Sequence, residues 1–409
     1  MKDFFKVTAP DKVIAMRHDF SPVKTEVVSL DQANGRVLAE DFVSPENLPG
    51  FTRATMDGYA LKASSTFGAS ESGPAFLTIN GSVAMGEVPD FSVGSGEAAH
   101  ISTGAMLPDG TDAVVMIEHT QALDDTTIEA YRSVAPGQHV IQADEDIAKD
   151  KPALTAGIDI RSQEVGLLAA LGCETVAVFK KPVISIISTG DEIVAAGQPL
   201  PPGKIRDVNA YTLAGFAADA GADPVCLGIV KDDFDRMLAV CRQALSQSDM
   251  VLISGGSSMG TRDLTVQVLA DLPETDILVH GISISPGKPT ILARVGDKPF
   301  WGLPGQITSA MVAFTAVVRP FIDRLAGRTV HRREAFTLAA RLTRNVSSVQ
   351  GRIDYVRVRL EKKDDGLWVE PILGKSGLIS TMVKADGLVA IGMNAEGMEK
   401  GELAEVIPI

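Results

Sequence analysis

Three apolar runs, each ending in a loop of small, hydroxylated and charged residues, set the limits on what this chain can fold into. Residues 181–192 read K-P-V-I-S-I-I-S-T-G-D-E, residues 250–260 read M-V-L-I-S-G-G-S-S-M-G, and residues 282–289 read I-S-I-S-P-G-K-P. Continuous apolar runs of this length fit buried strands. Loops of Gly, Ser and charge at their ends are how an open α/β sheet builds a site along its carboxyl edge. Strand-like segments at 183–187, 224–230 and 251–254 alternate with helix-like segments near 209–220, 234–245 and 264–272, and a long helix is expected over about 307–325. That alternation predicts a doubly wound, mostly parallel sheet with crossover helices.

The flanking segments read differently. A β-rich insertion of short Val, Ile and Thr runs broken by Gly and Pro is expected over 47–146, and a small β domain over 328–409, where Y-V-R-V-R-L alternates. Residues 1–46 together with 147–178 read as an N-terminal linker or helical domain, with Gly172 as a helix stop, and 179–327 as the sheet domain. The class is therefore multidomain α/β. A chain of 409 residues fits two to four domains, at roughly 100–200 residues each. The net charge of −14 argues against a general nucleic-acid or anionic-membrane binder, so an anionic ligand would need local cations or a metal. Cys173, Cys226 and Cys241 are too scattered for a zinc clip and read as reduced core thiols. The first residues carry no long apolar stretch, and no later run approaches the roughly 20 apolar residues of a spanning helix, so a cytoplasmic location is expected.

The chemistry lies in the loops. Asp191 and Glu192 follow one strand, Asp232 and Asp233 a second, and Asp263 the glycine loop of a third. Neighbouring strand ends lie about 5 Å apart, so these carboxylates can converge, and hard oxygen donors of this kind suit Mg²⁺. Gly255, Gly256 and Ser257 form a loop that fits a phosphate, with Lys288 as a point charge. Taken singly, each motif has a plainer reading: Asp191 or Asp232 as a helix cap, Pro286–Pro289 as a turn, His280 as a structural histidine. No glycine loop ends in Gly-Lys-Ser/Thr, which excludes a P-loop.

In combination the motifs are specific. P-G-F-T-R-A-T-M-D-G-Y-A at 49–60, I-S-T-G-A at 101–105 and D-A-V-V-M-I-E at 112–118 precede S-T-G-D-E. After it come S-G-G-S-S-M-G-T-R-D at 254–263, P-G-K-P at 286–289, G-L-P-G at 302–305 and G-R-I-D-Y-V-R at 351–357. Over essentially its whole length the chain resembles the molybdopterin molybdenumtransferase family, the molybdenum-insertion enzymes related to the E domain of gephyrin. The resemblance implies a molybdopterin-binding-like sheet domain and an elongated homodimer in which one subunit's insertion faces the other's sheet domain. The implied reaction joins molybdate to adenylylated molybdopterin in a Mg²⁺-dependent step that releases AMP. Further implied partners are a molybdopterin adenylyltransferase and molybdoenzyme chaperones.

Carried over motif by motif, the resemblance assigns Asp57 and Thr103 to the insertion's side of the cleft. Glu192, Asp232 and Asp263 form the acidic, metal-holding cluster, and Asp146 matches another family carboxylate. Lys288, Ser309, Arg352 and Ser376 match positions associated with the oxyanion and the pterin phosphate. The chain also departs from the pattern: Gly281 and Ser285 stand where the family carries lysines, Gln306-Ile307 replace Asn-Pro, Leu264 an aromatic, and Asp144 a glycine. Arg206, Arg262 and Arg294 are the cations that could compensate. An active insertion enzyme is the leading reading; a catalytically weakened paralogue that binds pterin or a partner, and a nucleotidyl-transfer enzyme, are the alternatives.

Overall fold

The alternation after residue 180 folds into a six-stranded sheet. Its strand order is Asp223–Val230, Val183–Thr189, Met250–Gly255, Lys298–Pro304, Ile291–Val295, Thr275–His280. The structure, a computed structural model, describes residues 7–255, 259–329 and 337–409, with the side chains of 259–263 outside that description. The first four strands are parallel, as crossover helices demand; Ile291–Val295 runs antiparallel to them, and Thr275–His280, antiparallel to Ile291–Val295, points the same way as the first four. The reversal has a local cause. Only Gly296 and Asp297 separate Ile291–Val295 from Lys298–Pro304 in sequence, and a two-residue connection with Gly296 at φ 59° makes a hairpin rather than a crossover.

Alternate residues of these strands feed two cores. Ile184, Ile186, Leu252 and Trp301 pack with Leu213, Phe314 and Phe321 on one face. Ile187, Val251, Ile253 and Phe300 pack with Met237, Cys241 and Leu269 on the other. Both faces are covered, which is why the strands read as continuous apolar runs. Trp301 is fully buried and stands edge-on to Phe321 at 5.0 Å; truncating such an aromatic costs about 3–5 kcal/mol. The long helix runs through Ile307–Ala313, a π-helical stretch Phe314–Val318, and Arg319–Leu325. Pro320 has no N–H to donate into the preceding turn, and the wider turn just ahead of it absorbs that break.

The chain divides into two compact units, one of Met1–Glu40, Ala156–Arg161 and Thr175–Ile409, the other of Asp41–Thr155 and Ser162–Glu174. In the first, the C-terminal strands Ile353–Lys363, Gly366–Pro371, Leu338–Leu342, Leu403–Pro408 and Gly387–Ile391 pair in a closed ring, a five-stranded barrel around Val358, Val389 and Val406. A sixth strand comes from the sheet domain: Ile284–Ser285 lies parallel to Ile353–Lys363, with Ser285 opposite Asp354.

The second unit carries a six-stranded sheet built from Gly58–Leu61, Ala75–Val83, Glu97–Ile101, Ala113–Met116, Thr120–Ala122 and Thr127–Ala130, the β-rich insertion that the sequence predicts. The helical expectation for 147–178 is corrected. Only Ser162–Ala170 is α-helical there, while Pro152–Leu154 and Thr175–Phe179 are strands. T-V-A-V-F alternates, and it pairs with Thr25–Ser29. Cys241 is buried and its thiol is pushed up to about 12 by burial, but Cys226 is exposed on the edge strand and Cys173 is half-buried, so only one of the three is a core thiol. No helix among the described residues is long and apolar enough to cross a membrane.

Candidate functional site

Strand register brings the acidic loops together. Thr189 lies opposite Val230 on one side and Gly255 on the other, and the Gly190 N–H donates to the Val230 carbonyl at 3.2 Å. Asp191-Glu192 and Asp232-Asp233 therefore leave adjacent strand ends. The two aspartates of the second pair then separate in role. Asp233 caps the Phe234–Gln247 helix, accepting from the Arg236 N–H at 2.9 Å, which leaves Asp232 unclaimed by the helix. Loss of hydration, followed by the charges of Asp191 and Glu192, pushes the Asp232 carboxyl above the usual carboxylate range. The Glu192 side chain folds back over Gly190, where an added Cβ would lie 2.7 Å from Oε2.

Among the described residues no group of three or more His, Cys, Asp or Glu is placed so that it could by itself hold a metal ion. Mutually repelling carboxylates at a loop edge do fit a hard divalent cation that keeps most of its water, as Mg²⁺ does. Gly256, Ser257, Arg262 and the Asp263 side chain lie outside the described residues, while Gly255 ends its strand between Thr189 and Pro304.

A second cluster forms around the start of the long helix. Thr308 grips the Ser376 carbonyl twice, through its N–H at 3.1 Å and its hydroxyl at 2.6 Å, so the Ser376 loop sits beside buried Ser309. Ser309 and Ala313, four residues apart, share a helix face. Gly287 packs there too, since a Cβ on it would lie 3.5 Å from that of Ala313; the P-G-K-P loop thus carries exposed Lys288 past the same face. Arg352 joins through Asp354, with Nε 3.1 Å from Oδ1, and Asp354 stands opposite Ser285. Ser309 and Ser376 thus meet at the helix start, Lys288 follows a loop residue packed on Ala313 one turn further along, and Arg352 is linked to the strand before that loop through Asp354.

The departures have structural counterparts. Gly281 has φ 104°, a conformation in which a lysine would be strained. Asp144, where the family carries glycine, keeps the left-handed conformation at φ 63°, which Asp tolerates better than most residues. Arg206 donates through Nε to the Ala196 carbonyl at 3.0 Å, and Arg294 pairs with Asp276 at 3.3 Å on the antiparallel side of the sheet.

In the other unit, the Gly58–Ile101 register sets Asp57 beside Thr103, whose N–H donates to Asp57 Oδ1 at 2.7 Å. That bond, a second from the Thr103 side chain and the weaker influence of His100 hold the Asp57 carboxyl below its usual range. Gly58 has to be glycine: a Cβ there would lie 2.0 Å from the Val115 carbonyl oxygen. Asp146 is exposed, and its N–H donates to the Leu48 carbonyl at 3.1 Å.

Three residues were not singled out from the sequence. Thr308 is one. Asn209 is another: its Nδ2 donates to Ser254 Oγ at 2.7 Å and to the Gly305 carbonyl at 3.0 Å, tying the ends of two strands together. Asp354 is the third. Thr308 and Asn209 act through partners far away in sequence, whereas Asp354 joins the nearby Ser348, Val349 and Arg352 to the distant Ser285.

Three family models match in succession: the MoeA N-terminal region (domains I and II) over residues 8–172, a probable molybdopterin binding domain over 185–324, and the MoeA C-terminal region (domain IV) over 339–409. A molybdopterin molybdenumtransferase of Bacillus subtilis is 32% identical over 391 residues, covering 94% of this chain and 90% of its own. The chain belongs to the molybdopterin molybdenumtransferase family. A putative molybdopterin biosynthesis protein of Methanocaldococcus jannaschii is 37% identical over 392 residues, with 94% of this chain and 92% of that one covered. A crystal structure of the MoeA molybdopterin biosynthesis protein of Pyrococcus horikoshii superposes with a TM-score of 0.80 at 39% identity, over 98% of this chain and 99% of that one. Membership of the molybdopterin molybdenumtransferase family places the chain in molybdenum-cofactor biosynthesis.

Proposed function

We propose that this protein inserts molybdenum, taking molybdate and adenylylated molybdopterin, joining the metal oxyanion to the dithiolene and releasing AMP. The observation that supports the reading is that one unit carries both an acidic strand edge (Asp191, Glu192, Asp232) and, tied to the long helix and to the strand Ile284–Ser285, the cationic and hydroxylated residues Lys288, Ser309, Arg352 and Ser376. The reaction needs both. Lys288 and Arg352 attract and orient the oxyanion, and the Ser309 and Ser376 hydroxyls can donate to its oxygens. Gly255, with Gly256 and Ser257 beyond it, is the proposed phosphate loop. Bound by Glu192, Asp232 and Asp263, Mg²⁺ would neutralise charge on the phosphoanhydride.

We further propose a homodimer with composite sites to which Asp57 and Thr103 contribute from the partner, and a hand-over of substrate and product to an adenylyltransferase and to molybdoenzyme chaperones. Purified protein given adenylylated molybdopterin, molybdate and Mg²⁺ should release AMP in step with molybdenum incorporation. The absence of lysines at Gly281 and Ser285 favours a second reading, a paralogue that binds pterin without turnover. Tight binding of adenylylated molybdopterin with no AMP release would select it. Mixing Asp57→Ala with Asp263→Ala protein tests the dimer: hybrid dimers should regain part of the activity, and an active monomer would rule composite sites out.

A further inference from the structure

One charge in the proposed anion pocket has the wrong sign for an anion: Asp354. It is 8% exposed, lies in the barrel strand next to Arg352, and stands opposite Ser285 in the strand that the sheet domain lends to the barrel. By Coulomb's law a carboxylate here works against any bound anion. Its oxygens are nonetheless surrounded by donors: the Ser348 hydroxyl at 2.6 Å, the Val349 N–H at 3.3 Å, Arg352 Nη2 at 3.4 Å, and the Ser285 hydroxyl, with Arg352 Nε in ion-pair contact at 3.1 Å but not aligned to donate. Arg352, with a side chain 41% exposed, offers Asp354 one edge of its guanidinium, and the remaining N–H groups of the fork can face a ligand.

Resting on the anion-pocket reading above, we propose that Asp354 is a positioning residue that aims Arg352 at the oxyanion, and that Ser285 fits this chain because its neutral donor leaves Arg352 as the principal cation on that carboxylate. Paired residues on neighbouring strands lie about 5 Å apart, so a lysine at 285 would reach Asp354 before it reached the ligand. Two cations would then share one carboxylate, and Arg352 would lose its fixed direction. The lysine that Ser285 replaces is therefore not a simple deficit of positive charge: its loss keeps Arg352 aligned, and Lys288 supplies the pocket's second charge.

The sign of one measurement separates positioning from electrostatics. Molybdate binding to the purified full-length protein, without pterin or turnover, is followed by calorimetry, with inorganic phosphate as a second probe. Asp354→Asn removes a negative charge, so Coulomb attraction alone predicts tighter binding; positioning predicts binding about tenfold weaker, as for loss of a charge-assisted hydrogen bond. Adding Arg352→Ala to Asp354→Asn should cost little more, since the two act as a unit. Ser285→Lys should leave affinity unchanged or lower it. Unchanged or tighter binding by Asp354→Asn, or tighter binding by Ser285→Lys, overturns the proposal. Should Asp354→Asn not fold, Ser348→Ala keeps the charge and removes one donor; a few-fold loss supports positioning and unchanged affinity overturns it. Lys288→Ala and Arg352→Ala are the controls: if neither weakens molybdate binding, the anion-pocket reading falls and this proposal with it, whereas a loss in both with none in Asp354→Asn defeats the positioning role alone.

Discussion

Asp232 and Asp354 belong to the same unit and sit in opposite circumstances. Asp232 loses hydration at a strand end and meets two further carboxylates, so its proton is held more tightly than usual. Asp354 is pushed the same way by burial, but Ser348, Ser285, Arg352 and the Val349 N–H outweigh burial and hold it below the usual range. At one edge of the unit the carboxylates have no ion-pair partner among the described residues, Lys204 reaching only the Asp191 carbonyl; the other encloses its carboxylate in donors. A compensated charge holds structure in place, and an uncompensated one leaves work for a ligand.

The contrast can be broken first at turnover. Asp232→Ala should lower AMP release about 100-fold or more, in the range expected when a group that holds a catalytic charge is lost, while thermal unfolding without divalent cation stays the same or rises. A comparable fall in stability would place Asp232 with the structural carboxylates. Asp354→Ala should behave conversely and cost about 1–3 kcal/mol in urea unfolding, because buried donors lose their acceptor.

Smaller effects sharpen the contrast. Millimolar Mg²⁺ should raise the unfolding temperature of the wild type and not of Asp232→Asn, since a cation that binds only the folded state stabilises it. The two carboxylates should also respond to pH with opposite sign. With a lowered folded value, the stabilisation from Asp354 is present above the unfolded value of about 3.9 and is lost as pH falls through the folded value. With a raised folded value, Asp232 contributes fully below about 3.9 and the contribution is lost as pH rises through the folded value. Urea midpoints from pH 3 to pH 7 should therefore show Asp354→Asn destabilised and Asp232→Asn slightly stabilised at pH 7, with both differences shrinking in acid. The smallest effect is expected at Asp57→Asn: an unchanged unfolding temperature with impaired turnover, because Asp57 is exposed and its bond to Thr103 orders a loop rather than a core.

The sheet was legible because its strands are buried on both faces: Ile184, Ile186 and Ile187 cannot alternate with polar residues when each points into a core. The loops were legible for the same reason, since a polar break stands out against such a run. A mostly parallel sheet leaves room for the antiparallel edge, but its position was not legible, because the turn that makes it, Gly296-Asp297, is only two residues long. Thr308 and Asn209 were illegible for a deeper reason. Thr308 meets Ser376 across 68 residues and Asn209 meets Gly305 across 96, and no periodicity reports a partner at that distance. Family resemblance could name Arg352; it could not say that Asp354 holds it.

The strand Ile284–Ser285 has a consequence for anyone who recombines these proteins. By sequence the C-terminal β domain begins at residue 328, and by family model at 339. Its first neighbour in space is nonetheless a dipeptide from the middle of the sheet domain, and its Ser376 loop is fastened by Thr308. A barrel grafted from a relative would arrive without the two residues against which its strand was selected, so chimaeras cut at the apparent border should assemble poorly until positions 284 and 285 are exchanged with it. What is inherited as a module and what folds as one have different edges here.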